Sequence, residues 1–139
     1  MGKYIRPTLE TKFHVDFFWW QQGGQNLRNF LEGHLCSDFQ EMAAEHQGEI
    51  FDWINPETGE VFQIDLLWHI IYKHCQDDPD FFDPRTPLTT AIFRAFIAKN
   101  NRPLTPIEIQ RIIQRKSPDM ILRTIGGRRT YKGIKPVGS

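Results

Sequence analysis

Residues 104–127, LTPIEIQRIIQRKSPDMILRTIGG, carry two helix starts in quick succession and so specify a tightly joined helix pair. Thr105 stands as an N-cap, Pro106 occupies the first helical position, and Glu108 completes a capping box in which each side chain satisfies the other residue's backbone amide. Leu104 and Ile109 hold the hydrophobic-staple positions on either side of the cap. Ile109, Ile112 and Ile113 form the buried side of this helix, with Arg111, Arg115 and Lys116 carrying its charge. Ser117 and Pro118 repeat the cap-and-proline device and start a shorter helix with apolar contacts at Met120, Ile121, Leu122 and Ile125. Gly126-Gly127 is a natural stop. The same glycines allow a second reading, a hairpin pairing residues 120–125 with 128–134. The Ser-Pro start favours the helix.

Before this pair, Leu88, Ala91, Ile92, Ala95 and Phe96 recur at helical spacing, and Phe93 and Ile97 widen the stripe. An amphipathic helix is expected from about 87 to 99, broken by Asn100-Asn101-Arg102-Pro103. On the other side, residues 128–137 have the β-branched and aromatic content of a strand.

Helix, helix, tight turn, short helix and basic strand is an order that resembles a winged helix-turn-helix domain, over about residues 86–137. The resemblance implies that the third helix enters the major groove of duplex DNA while the wing follows the backbone. Ser117, Asp119, Met120, Arg123 and Thr124 would then face the groove. Arg128, Arg129, Tyr131 and Lys132 would form the wing. The chemistry of the residues agrees, since Arg forks onto guanine while Lys and Arg neutralise phosphates. Arg111, Arg115, Lys116 and Lys135 extend the expected nucleic-acid-binding set.

Charge gives a second, independent pointer. The 139-residue chain is neutral, with 17 Lys and Arg against 17 Asp and Glu. Cut after Pro84, it separates into residues 1–84, with 5 basic against 15 acidic, and residues 85–139, with 12 basic against 2 acidic. Two domains with those bounds are expected, the first an acidic interaction domain and the second the basic winged helix, in an α+β fold. A basic domain of this kind takes a polyanion as its partner. The competing explanation is docking of the basic half onto the acidic half, within one chain or between the copies of a homodimer.

The acidic half has its own order. Residues 14–20, HVDFFWW, read as a strand or as the apolar entry to a helix, and Gln21-Gln22-Gly23-Gly24 as a break. Leu27, Phe30, Leu31, His34 and Leu35 share one helical face. Ser37 or Asp38 caps a short helix burying Phe39, Met42 and Ala43, which Gly48 ends. Residues 50–54 and 60–64 flank Asn55-Pro56-Glu57-Thr58-Gly59 as a β-hairpin. Asp65 caps a helix whose wet face is Asp65, His69, Lys73 and Gln76, with Leu67, Trp68, Ile70, Ile71, Tyr72 and Cys75 covering the rest. Residues 76–84 stop it.

Two constellations have the residue types of a chemical site. His34, Cys36, His74 and Cys75, with His69 and His46 in reserve, are zinc donors by type, but neither pair has the two-to-four-residue gap of structural zinc sites. Cys75 falls on an apolar face, where a small buried thiol is expected. His14 and Asp16 with Asp52, Glu57 and Glu60 have the residue types of a metal hydrolase, without a spacing that fixes their geometry. The aromatic run 17–20 has the rings to stack bases, but its acidic context favours core packing.

The expectation is therefore a non-enzymatic protein with no cofactor, binding double-stranded DNA as a transcription regulator or DNA-associated accessory factor. A protein-interaction module is the alternative, and a metal-dependent hydrolase the minor one. Two cysteines are too few for a disulfide scaffold, which leads to an expected reducing cytoplasm. No apolar run approaches the roughly 20 residues of a membrane span.

Overall fold

The computed structural model describes residues 6–23, 26–36 and 39–138. It is a mixed α and β structure with two small antiparallel sheets among the described residues. The chain forms two compact units, residues 1–16 with 82–139 and residues 17–81. The boundary differs from a single cut after Pro84 because the chain's first strand pairs with its last. Charge follows the units. The first holds 15 Lys and Arg against 5 Asp and Glu, and the second 2 against 12.

In the basic unit, β1 (Phe13–Val15) pairs antiparallel with β4 (Ile134–Pro136), in register Phe13 with Pro136 and Val15 with Ile134. On its other edge Phe13 exchanges both backbone hydrogen bonds with Leu104, at 2.8 and 2.9 Å. Phe13, Val15, Leu104 and Ile134 are all buried. Three helices complete the unit: α5 (Leu88–Ala98), α6 (Pro106–Ile113) and α7 (Pro118–Ile125). Helix α6 packs against both α5 and α7, and α5 packs against β1.

The local signals act as expected here. Thr105 Oγ1 accepts from Glu108 N at 3.2 Å, and Glu108 Oε1 accepts from Thr105 N at 3.0 Å, closing the capping box. Each such cap contributes about 1 kcal/mol. Ser117 Oγ accepts from Met120 N at 3.2 Å, so residues 118–125 are helical and the hairpin reading falls. Of the expected apolar stripe of α5, Ala91, Ile92, Phe93, Ala95, Phe96 and Ile97 are buried.

The closing segment departs from expectation. Residues 128–137 are not one strand: only Ile134–Pro136 is extended, and its registered partner is β1 rather than a second wing strand. Lys132 and Gly133 both have positive φ, 51° and 81°. They form a tight turn in which Ile134 N donates to Tyr131 O at 2.9 Å. A mirror-image turn of this kind reverses the chain at once and leaves no length for a wing.

The acidic unit runs α1 (Phe17–Gln22), α2 (Leu27–Glu32), α3 (Gln40–Glu45), β2 (Ile50–Ile54), β3 (Val61–Asp65) and α4 (Leu66–Ile70), which widens into a π-helical turn (Ile71–Cys75). A 3₁₀ turn (Pro79–Phe82) follows. The expected hairpin forms with Ile54 opposite Val61 and Ile50 opposite Asp65. Helix α4 packs against both of its strands and against α2. Phe17 is the aromatic hub, edge-on to Trp53 and Trp68 at centroid distances of 5.2 and 5.0 Å. Phe17 and Trp20 are buried, whereas Phe18 is half exposed. The cap expected at Ser37 or Asp38 lies outside the described residues. Asp65 caps α4 by accepting from Leu67 N at 2.9 Å and also accepts from Arg28 Nη1 at 3.1 Å. Arg28 Nη2 donates to Ala43 O at 2.7 Å, tying α2, α3 and the end of the hairpin together.

Two further expectations are corrected. Cys36 and Cys75 are bonded to each other in a disulfide, with Cα atoms 5.6 Å apart, so Cys75 is not a free core thiol. A chain separation of 39 residues hid the pairing, and the expected reducing cytoplasm loses the argument it rested on. His69 does not lie on a wet face: its ring stacks on Phe51 at 4.2 Å and its Nδ1 is buried. No helix among the described residues is long and apolar enough to cross a membrane.

Candidate nucleic-acid interface

The site is built on the turn between α6 and α7. Gln114 and Lys116 both take left-handed backbone conformations there, with φ of 55° and 64°. Two such residues within three positions end α6 abruptly and start α7 at Ser117. Ile121 and Ile125 anchor the inner side of α7, and that phase turns Asp119, Met120 and Arg123 outward. Thr124 is half-buried and spends its hydroxyl on Met120 O, at 2.8 Å.

The residues read from sequence as nucleic-acid-binding fall into two groups. Arg111, Lys116, Ser117, Arg123, Arg128 and Arg129 are exposed on α6, the turn, α7 and the segment after it. Arg115 and Lys135 are half-buried and turned to internal partners: Arg115 donates to Thr86 O, and Lys135 Nζ lies 3.1 Å from Asp16 Oδ2. Tyr131 and Lys132 are half-buried in the turn before β4. The exposed group gives the helix pair a cationic rim whose guanidinium forks suit phosphate oxygens.

Sequence reasoning passed over Arg6. It lies beside the buried Pro7 and lines, with Arg123, Arg128 and Asp119, a cleft of about 690 Å³ along the outer side of α7. The only local signal was a basic residue before a proline, which does not say where the segment docks.

The other constellations do not assemble. The sulfurs of Cys36 and Cys75 are taken by each other, His74 stacks on Phe39 at 4.7 Å, and His34 packs its ring 4.7 Å from Phe30. Asp16 is ion-paired, and Asp52, Glu57 and Glu60 are exposed on the hairpin. Among the described residues no three His, Cys, Asp or Glu side chains come together as a metal site. Searches of protein-family models, curated proteins and solved structures find no match to this chain.

Proposed function

We propose that the basic unit binds double-stranded DNA, with α7 as the groove-facing helix and the cations around it on the backbone. One observation carries the reading: the chain's basic excess segregates with the unit that holds the α6–turn–α7 pair, where Arg111, Lys116 and Arg123 on the pair and Arg128 and Arg129 just after it are exposed. Cationic surface on a short, capped helix pair fits the helix-turn-helix mode, in which the second helix reads base edges and its surroundings hold phosphates. Ser117 and Met120 supply contacts to base edges, while Arg123, in the last turn of α7, belongs with the cations on the backbone. The role that follows is a transcription regulator or DNA-associated accessory factor.

The test is binding of the full chain to a random duplex across a range of salt. Each phosphate neutralised adds about 0.9 to the slope of log affinity against log salt. A steep slope supports the reading, and replacing Arg111 and Lys116 together with Ala should shallow it by about two. Absence of binding at low salt overturns it.

A second reading has its own support in the acidic unit. Ile50, Ile54 and Val61 are 59, 60 and 52% exposed on the hairpin, with Ile54 directly opposite Val61. The exposed Ile54–Val61 pair suits a protein partner.

A further inference from the structure

The cleft along α7 joins parts of the basic unit that are far apart in the chain. Arg6 comes from the segment before β1, Arg123 from the last turn of α7, and Arg128 from just beyond it. The buried Pro7 and the half-buried Leu122 add apolar surface to the lining. Arg6, Arg123 and Arg128 are the basic residues that line the cleft, and Asp119 is the acidic one. Gly126 and Gly127 line the same wall. A Cβ at Gly127 would meet nothing within 4 Å, so open space lies on that side of the residue. A Cβ at Gly126 would lie 2.5 Å from Leu122 O, so that position must stay glycine for the wall to keep its shape.

We infer that this cleft is a phosphate-binding site in which Arg6, Arg123 and Arg128 hold a phosphate of the nucleic-acid backbone against α7. The inference rests on the duplex-binding reading and adds to it the N-terminal segment as part of the interface. Guanidinium groups match phosphate oxygens in planar, paired geometry, and several converging on one cleft bind far better than scattered surface lysines. Arg6 is the decisive residue: it is exposed and belongs to neither helix of the pair, so its loss leaves the fold intact.

The test uses the full chain, a random 20-base-pair duplex, and the variants Arg6→Ala, Arg123→Ala and Arg102→Ala. Arg102 is exposed in the turn after α5, does not line the cleft, and serves as a charge control. Because the arginines share one phosphate, the expected result is a salt slope shallower by at most about 0.9 in Arg6→Ala and in Arg123→Ala, with no change in Arg102→Ala. If the wild type binds and Arg6→Ala binds identically, the cleft is overturned while the DNA reading stands. Equal losses in all three variants also overturn it, because net charge alone then explains the effect.

If the wild type does not bind the duplex, the DNA reading fails and inorganic phosphate becomes the probe, by thermal shift at constant ionic strength. Stabilisation of the wild type that is lost in Arg6→Ala would keep the cleft as a site for a free phosphate. No stabilisation would overturn it.

Discussion

The side-chain amide of Asn101 closes on both backbone groups of Val15: its Oδ1 accepts from Val15 N at 2.8 Å, and its Nδ2 donates to Val15 O at 2.8 Å. Asn101 is buried, with φ of 62°, in the loop between α5 and α6. The amide serves as a surrogate strand residue, satisfying β1 where no strand residue lies beside it. Asparagine suits the task because it tolerates the left-handed region and carries both a donor and an acceptor.

Replacing Asn101 with Ala strands a buried N–H and a buried C=O of Val15. Each such orphan costs about 1–3 kcal/mol, so a total loss of about 2–6 kcal/mol is expected. Chemical denaturation measures it. A variant as stable as wild type would show that the bracket does not hold β1 in place.

The isolated segment 85–139 should not fold as the basic unit does. It lacks β1, the registered partner of β4 and the hydrogen-bonding partner of Leu104 and Asn101. Its thermal transition by circular dichroism should be broad or absent. Joining residues 6–16 to it through a flexible linker should restore cooperativity. A sharp transition in the bare segment would refute the role assigned to β1.

Reducing the Cys36–Cys75 bond should destabilise the acidic unit. Cross-linking residues 39 apart removes chain entropy from the unfolded state, an effect of about 2–4 kcal/mol. The melting temperature should fall on adding a reductant, and mass spectrometry should show two added hydrogens. An unchanged melt of the reduced protein would count against the bond as a stabilising element.

Stability should fall below neutral pH through His69. Burial first, and then the charges of Lys73 and His74, hold its pKa below the ordinary 6.5. The unfolded chain therefore takes up the proton at higher pH than the folded one does. The contribution is intact above about pH 6.5 and is lost as pH drops through the folded-state value. Urea titrations at pH 7.5 and 5.5 should show a smaller loss in His69→Gln than in wild type. Equal losses would remove His69 from the acid sensitivity.

The features legible in the sequence are those whose cause is local. Thr105, Pro106 and Glu108 lie within one helical turn, so the capping box is written in adjacent letters, and the same holds for Ser117-Pro118 and for the Asn55–Gly59 turn. His69 departs from the wet face because the ring of Phe51, from the hairpin, stacks on it, a contact that no neighbour in the sequence announces. The extended wing was misread because β-branched content does not say which strand is the partner. Arg6 went unnoticed because its neighbours in the cleft lie more than a hundred residues away.

From the chain alone follow the helix pair, its caps, the hairpin and the segregation of charge, because these depend on side chains a few residues apart and on composition. The pairing of β1 with β4, the Asn101 bracket, the disulfide and the arginine cleft were settled only by the tertiary structure. Each joins groups between 39 and 123 residues apart. Contacts at that range are chosen by the packing of the whole unit, and no local pattern in either partner encodes the other.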